Sequence, residues 1–186
     1  MNGLLRGKLV HLVTANSETD AETMARWSRD SEYQRLLDSD PARPKSAKHA
    51  KEEIAEWMEH ERPDNFGFVI RTLAEDRLIG FVGLGGINWP NGDGFVGIGI
   101  GEREDWDKGY GTDAMHVILQ YAFAELNLYR VSLDVFGENR RAIRSYEKVG
   151  FVVEGCERQY EDRDGQRCDM IYMGILHEEW ERGQKG

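Results

Sequence analysis

The spacing of apolar residues changes near residue 66, from the three-to-four-residue period of helices to the two-residue period of strands. Before that point, residues 9–13 form a short apolar run that predicts a first strand. Residues 19–37 predict a helix that ends before Pro41, because proline interrupts helical hydrogen bonding. Residues 46–60 carry apolar side chains at helical spacing and predict a second, amphipathic helix.

Alternating apolar residues then predict three consecutive strands, at residues 66–70, 78–84 and 95–101. The Asn-Gly and Asp-Gly pairs within residues 91–94 are typical of a tight turn before the third strand. That third strand carries a glycine at every second position, which costs it conformational entropy and side-chain packing. One face of it is therefore expected either to receive another molecule at close range, or to carry a bulge or a tightly packed helix.

The second half of the chain alternates helices and strands. An apolar stripe through residues 114–126 predicts a helix, and residues 131–136 predict a strand. Asn139 is a natural N-cap for a short helix, and Gly150 suits the position just after its end. The last predicted elements are hairpin strands at residues 151–153 and 169–173, joined by a turn near Asp164-Gly165.

Length and charge limit the class of protein. The 186 residues include 34 acidic and 24 basic side chains, a formal net charge of −10. The length and the lack of internal repeats predict one α/β (α+β) domain over residues 1–186. No apolar stretch approaches the ~18 residues of a membrane helix and no secretory signal begins the chain, so we expect a cytoplasmic protein without a membrane partner. An acidic chain without a basic run disfavours nucleic acid and fits a cationic amine better.

The cysteines and histidines form no recognisable metal or redox motif. Cys156 and Cys168 lie far outside CxxC spacing and are expected to be reduced structural thiols. The five histidines are scattered, without HExxH or a related spacing. We therefore expect no metal site.

Residues 109–114 match the pattern GxGxxA between a predicted strand and a predicted helix. A dinucleotide-binding fold does not suit the context, because seven charged or bulky residues separate strand and glycines, and the motif lies past the midpoint of the chain. No GK[ST] follows, which excludes a P-loop. Two alternatives remain: the N–H groups of the loop and the following helix bind a pyrophosphate, or the loop is a plain strand-to-helix turn.

Three sequence blocks follow one another along the second half of the chain. They are IGIGE at residues 98–102, WDKGYGTDA at residues 106–114 and NRRAIRSYEKVGF at residues 139–151. On these blocks, residues 78–174 resemble the Gcn5-related N-acetyltransferase (GNAT) superfamily, specifically its RimJ/RimL-like branch of ribosomal-protein type.

The resemblance implies a mixed, twisted central sheet, flanked by helices and splayed between two strands, with acetyl-CoA as the cofactor in the opening. The pantetheine arm would run beside the strand at residues 95–101, and the pyrophosphate would sit on the glycine loop. The 3′-phosphate would meet arginines of the helix after Asn139, although a solvated helix face is the alternative for such charges. The implied cofactor-binding residues are Ile98, Gly99, Ile100, Lys108, Gly109, Tyr110, Gly111, Thr112, Asn139, Arg144 and Tyr146, and the other arginines are Arg140 and Arg141.

The implied chemistry is attack of a neutral amine on the thioester, with backbone N–H groups of residues 98–101 stabilising the oxyanion. Tyr146 would protonate the leaving thiolate, and the alternative is a core tyrosine without a chemical role. The base is open, because Phe95 stands where several relatives carry a carboxylate. Glu102 and Asp134 are candidates for it, each with a solvated carboxylate as its alternative, and ordered water is another route.

A second departure from the family pattern is Asp107, where many relatives carry glycine. A carboxylate beside the pyrophosphate is expected to weaken CoA binding, and Lys108 and the helix N-terminus to offset it.

The function implied is acetyl-CoA-dependent transfer of an acetyl group to a primary amine. The acceptor would be a small molecule (a polyamine, amino acid or aminoglycoside) or a protein N-terminus. A non-catalytic acyl-CoA-binding regulatory module is the alternative. We expect the acceptor pocket to form from the first two helices and the loop near Trp89, and a homodimer is left open.

Overall fold

The computed structural model describes residues 3–60 and 62–184, which form one seven-stranded sheet with helices on both faces. The strands are β1 (Val10–Val13), β2 (Phe66–Thr72), β3 (Leu78–Asn88), β4 (Asp93–Ile100), β5 (Arg130–Phe136), β6 (Val152–Arg163) and β7 (Gln166–Leu176). The helices are α1 (Ser17–Trp27), α2 (Ser31–Leu37), α3 (Ala47–Ile54), α4 (Tyr110–Gln120), α5 (Arg140–Lys148) and α6 (His177–Gln184). Helices α3 and α4 each continue into one wider π turn, Ala55–Glu59 and Tyr121–Glu125 respectively.

The strands lie in the order β1-β2-β3-β4-β5-β7-β6. Every neighbouring pair is antiparallel except β4 and β5, which are parallel. The predicted mixed sheet is therefore confirmed, with its one parallel junction at the centre.

That central junction is short. β4 pairs with β3 along most of its length, out to the partners Gly80 and Ile100. With β5 it shares only three register positions, the last of which joins Phe95 to Ser132. Beyond that pair the two strands separate, which confirms the predicted opening in the sheet.

Two apolar clusters occupy the two faces of the sheet. Val69 and Ile70 are neighbours on β2, and adjacent strand residues point to opposite faces. Val69 belongs to the cluster under α1, α2 and α3, whereas Ile70 belongs to the larger cluster under α4 and α5. The opening between β4 and β5 therefore connects two separately packed helical layers.

The predicted helix over residues 19–37 is wrong in one respect, since the chain forms two helices there. Asp30 caps the second helix, and its carboxylate accepts from the N–H groups of Glu32 and Tyr33 at 3.0 and 3.3 Å. The Ser28 hydroxyl donates to the carbonyl of Ala25 at 2.6 Å and closes the first helix. The cap at Asp30 lies inside an otherwise helical pattern, and the chain therefore turns between α1 and α2.

The C-terminal part is more regular than predicted. Asp164 and Gly165 both have positive φ, 56° and 76°, as a two-residue hairpin turn requires, so the predicted turn is confirmed. The hairpin strands extend to that turn on both sides, well beyond the predicted residues. Helix α6 was not predicted; its Trp180 and His177 stack near Phe123 of the π turn after α4. Within the described residues, no helix is both long and apolar enough to cross a membrane.

Candidate active site

The opening between β4 and β5 forms a cleft of about 1090 Å³. Its walls come from both helical layers, from the sheet and from the loop before α4. All but one of the predicted cofactor-binding residues line it, and these are Ile98, Gly99, Ile100, Gly109, Tyr110, Gly111, Thr112, Asn139, Arg144 and Tyr146.

The glycines of β4, and Gly101 just after its last residue, have different surroundings. A Cβ at Gly101 would overlap the indole ring of Trp27 in α1, and a Cβ at Gly99 would lie 2.9 Å from Phe81. A Cβ at Gly97, in contrast, would meet nothing within 4 Å. The tightly packed helix, one of the two expected alternatives, is therefore found at the end of the strand, where Trp27 of α1 crosses it. The middle of the strand faces open space, and the close approach of another molecule there stays a prediction.

The glycine loop prepares the N-terminus of α4. Gly109 has a φ of 84°, which favours glycine, and as the N-cap residue it offers no side-chain acceptor to the first N–H groups of the helix. The acidic residue of that first turn, Asp113, turns away and accepts from the N–H groups of Lys8, Leu9 and Val10 at 3.1, 2.7 and 3.0 Å. The N–H groups on the cleft side are thus left to an anion.

Beside this loop, Arg141 of α5 lies over the ring of Trp106, with Cζ 3.6 Å from the ring centroid. Burial lowers the pKa of the Arg141 guanidinium, and the charge of Asp107 opposes that shift. The Trp106 indole N–H donates to the carbonyl of Ile100 at 2.8 Å and ties the loop to the end of β4. Arg141 therefore places a positive charge near Asp107, the residue expected to disfavour CoA.

Helix α5 forms the opposite wall. Asn139 caps it, and its Oδ1 accepts from the N–H of Ala142 at 3.2 Å, which confirms the predicted cap. The hydroxyl groups of Thr112 and Ser145 are 2.7 Å apart, so the first turn of α4 and the middle of α5 are directly joined. This contact fixes the spacing between the glycine loop and the helix that carries Tyr146.

Tyr146 is 8% exposed and lines the cleft while packing in the main core. Burial raises its pKa to about 12, and the negative charge of Asp134 on β5 acts in the same direction. The Asp134 side chain is exposed at the cleft, and its partial desolvation raises the pKa of its carboxyl against a backbone hydrogen bond that lowers it. A neutral hydroxyl and a carboxylate thus face one cleft within electrostatic reach of each other.

The first three helices and the segment after α2 form the other end of the cleft. Two buried polar atoms there, Nε1 of Trp27 and Oε1 of Gln34, have no hydrogen-bond partner among the described residues. The tip of the β6–β7 hairpin reaches this end, since Arg163 Nη2 donates to the carbonyl of Asp38 at 2.6 Å and Arg35 pairs with Asp164 at 2.6 Å. The hairpin tip therefore contacts this end of the cleft, which also carries two buried polar atoms without partners among the described residues.

Four residues singled out from the sequence do not line the cleft within the described part of the chain. Lys108 has its Nζ 3.9 Å from Asp105, a carboxylate that Arg77 already holds, and Arg140 is not among the residues that line the cleft. Glu102 pairs with Arg26 of α1 at 2.8 Å. The Trp89 indole donates to the carbonyl of Pro63 at 2.9 Å. The roles suggested for Lys108 and Glu102 stay predictions.

The profile of the family described as Acetyltransferase (GNAT) domain matches residues 10–152, well over half of the chain. The chain belongs to the GNAT acetyltransferase family. Its cleft agrees with that membership, since GNAT acetyltransferases use acetyl-CoA.

Proteins similar to this chain are named as N-acetyltransferases. The chain is 33% identical over 129 residues to the probable N-acetyltransferase YjcK of Bacillus subtilis (strain 168), which covers 68% of this chain and 71% of that protein. It is 30% identical over 142 residues to the putative ribosomal N-acetyltransferase YdaF of the same bacterium, covering 76% of each. A solved structure of spermidine N-acetyltransferase from Vibrio cholerae, in complex with CoA and spermine, superposes with a TM-score of 0.79 at 26% identity, covering 92% of this chain and 97% of that one. This GNAT protein is therefore an acetyl-transferring enzyme, and its assignment to the RimJ/RimL-like branch stays a prediction.

The described residues of this GNAT domain fit acetyl-CoA. The edge of β4 that faces β5 is unpaired beyond Phe95, and Gly97 leaves open space beside it. An extended chain with amide groups, such as pantetheine, can add to such an edge. The α4 N-terminus supplies N–H groups for a pyrophosphate. Stacking of Arg141 on Trp106 was not predicted, although both residues stand in the quoted motif blocks.

Proposed function

We propose that this GNAT enzyme transfers the acetyl group of acetyl-CoA to a primary amine. The amine belongs to a small molecule, such as a polyamine, amino acid or aminoglycoside, or to a protein N-terminus. The observation that carries this proposal is the separation of β4 from β5 after Phe95, with Tyr146 of α5 lining the cleft that this separation opens. The two free cysteines fit a reducing, cytoplasmic compartment.

Acetyl-CoA supplies an activated acetyl group in the form of a thioester. The backbone of β4 between Val96 and Ile100 binds the pantetheine amides and offers N–H donors to the oxyanion that develops during attack. The Tyr146 hydroxyl stays protonated at neutral pH, because its pKa is raised to about 12, and it donates a proton to the departing sulfur. The N-terminus of α4 holds the pyrophosphate.

Charge in the second half of the cleft supports a cationic acceptor. Asp38 and Asp40 lie in the segment after α2, and Asp134 lies on β5. Two of the described basic residues also line this end, Lys45, whose Nζ Glu53 pairs with at 2.7 Å, and Arg43. The three carboxylates outnumber the one remaining cation in this described half of the cleft, Arg43, and this balance favours a protonated amine.

The test is acetyl transfer by the purified chain with acetyl-CoA and four amines: spermidine, kanamycin, alaninamide and a peptide with a free N-terminus. Thiol release and the mass of the product are measured together. We expect an amine that carries one added acetyl group. Tight binding of CoA by calorimetry without an acetylated product from any of the four would contradict the proposal and favour a non-catalytic acyl-CoA-binding module.

A further inference from the structure

The place of the missing base follows from the register of the two central strands. Phe95 and Ser132 are the last paired positions of β4 and β5. Two residues further along, on the same face of each strand, stand Gly97 and Asp134. Gly97 has no side chain, and a Cβ there would meet nothing within 4 Å, so β4 places no side chain at the position across the gap from Asp134.

The other carboxylates that line the cleft have different positions or partners. Asp105 is buried and held by both terminal nitrogens of Arg77, each at 2.7 Å. Glu53 pairs with Lys45. The remaining carboxylates lie outside the sheet, namely Asp107 in the loop before α4 and Asp38 and Asp40 after α2. Asp134 is thus the sheet carboxylate at the point where the strands separate.

The charge of Asp134 acts on the groups around it. Its charge adds to burial in raising the pKa of Tyr146 of α5, and adds to the Glu157 hydrogen bond and to burial in raising that of Tyr172, its register partner on β7. Arg141 of α5 acts on Tyr146 in the opposite direction. The charges of Asp134 and Arg141 therefore act in opposite directions on the pKa of Tyr146, the proposed acid.

We propose that Asp134 is the catalytic carboxylate that binds the ammonium group of the acceptor and takes its proton. This inference rests on the proposed function and assigns the base that Phe95 does not supply. Asp134 accepts one proton from the ammonium and later passes it to water. The neutral nitrogen forms a bond to the acetyl carbon, the carbon–sulfur bond breaks, and the second proton that the nitrogen loses replaces the proton that Tyr146 gives to the sulfur.

The kinetic test compares Asp134→Asn with Glu75→Gln, the same chemical change in the exposed β2–β3 turn. With the best amine of the panel we expect kcat/KM at pH 7 to fall about 100-fold in D134N, the size of general-base effects, and to remain within about twofold in E75Q. The loss is expected to shrink at higher pH, since the fraction of free amine rises about tenfold per pH unit below its pKa. A pH-independent loss would point to a structural role and overturn the proposal.

A second measurement does not depend on turnover. Carbon-13 NMR of carboxyl-labelled aspartate follows Asp134, whose signal is assigned by its loss in D134N. Propylammonium chloride is expected to lower the pKa of this carboxyl relative to sodium chloride at the same ionic strength, because a bound cation favours the charged form. Equal pKa values in the two salts would overturn the proposal.

The two failures are distinguishable. If no panel amine is acetylated, the proposed function fails, and the NMR titration alone then decides whether Asp134 binds an ammonium group. If amines are acetylated while D134N behaves like E75Q, only the role of Asp134 fails. A 100-fold loss in Glu102→Gln, with D134N unaffected, would assign the base to Glu102 instead.

Discussion

At the scale of single residues, Tyr146 combines burial in the core with access to the cleft. Its raised pKa, about 12, keeps the hydroxyl neutral and able to donate a proton throughout the physiological range. The sequence alone left a chemical role and a packing role open for this tyrosine. In the structure Tyr146 packs in the core and also lines the cleft. Its role in the reaction therefore has to be tested by removing the hydroxyl alone.

For Tyr146→Phe we expect kcat to fall at least about tenfold, because the thiolate loses its proton donor while the ring still fills the core. The affinity for acetyl-CoA, measured by calorimetry, is expected to stay nearly the same. Both proteins are expected to show alkaline limbs of the same shape below about pH 11, since Tyr146 ionises only near pH 12. An unchanged kcat would assign Tyr146 to packing alone.

Gly97 of β4 and Gly101, the residue just after this strand, allow a matched comparison. Gly101→Ala is expected to destabilise the protein by about 1–3 kcal/mol, because the new methyl group overlaps the buried ring of Trp27. Gly97→Ala is expected to leave the thermal midpoint nearly unchanged but to weaken acetyl-CoA binding, since its methyl group enters the open space of the cleft. Thermal unfolding and calorimetry separate the two effects, and equal destabilisation would contradict the distinction.

At the scale of elements, the start of the chain depends on one side chain of α4. Asp113 accepts three backbone N–H groups from residues 8–10, and the carboxylate also occupies the space where Gly7 would carry a Cβ. The first strand of the sheet is thereby attached to the helix whose N-terminus is proposed to hold the pyrophosphate.

Asp113→Ala is expected to lower the free energy of unfolding by about 2–3 kcal/mol, as hydrogen bonds to a charged acceptor contribute more than neutral ones. Urea unfolding measures this change, and hydrogen exchange is expected to speed up most at the N–H groups of Leu9 and Val10. Asp113→Asn keeps one acceptor oxygen and is expected to lose less. An alanine variant as stable as the wild type would show that these contacts do not hold β1.

Local signals predicted most of the elements, whereas long-range pairing was not visible in the sequence. The turn at Asp164-Gly165 and the cap at Asn139 depend on neighbouring residues and were correct. The division between α1 and α2 was missed, because the cap at Asp30 lies inside a continuous helical pattern. The position of Asp134 opposite Gly97 follows only from strand register, which no local pattern determines.

At the scale of the whole molecule, the charge of −10 contrasts with the charge expected at the CoA site. Arg141 and Arg144 bring positive charge to the cleft from α5, together with the N–H groups at the start of α4. Asp107 is balanced there by the nearby Arg141, whereas the carboxylates of Asp38, Asp40 and Asp134 lie at the other end and on β5. This separation suits an anionic donor and a cationic acceptor that meet between the two central strands.

The crystal structure of the protein with coenzyme A tests the central claim most directly. We expect the pantetheine amides to pair with the backbone of β4 between Val96 and Ile100, the pyrophosphate to lie on the N–H groups of residues 109–112, and the sulfur to lie beside the Tyr146 hydroxyl. Coenzyme A bound anywhere outside the gap between β4 and β5 would contradict the account.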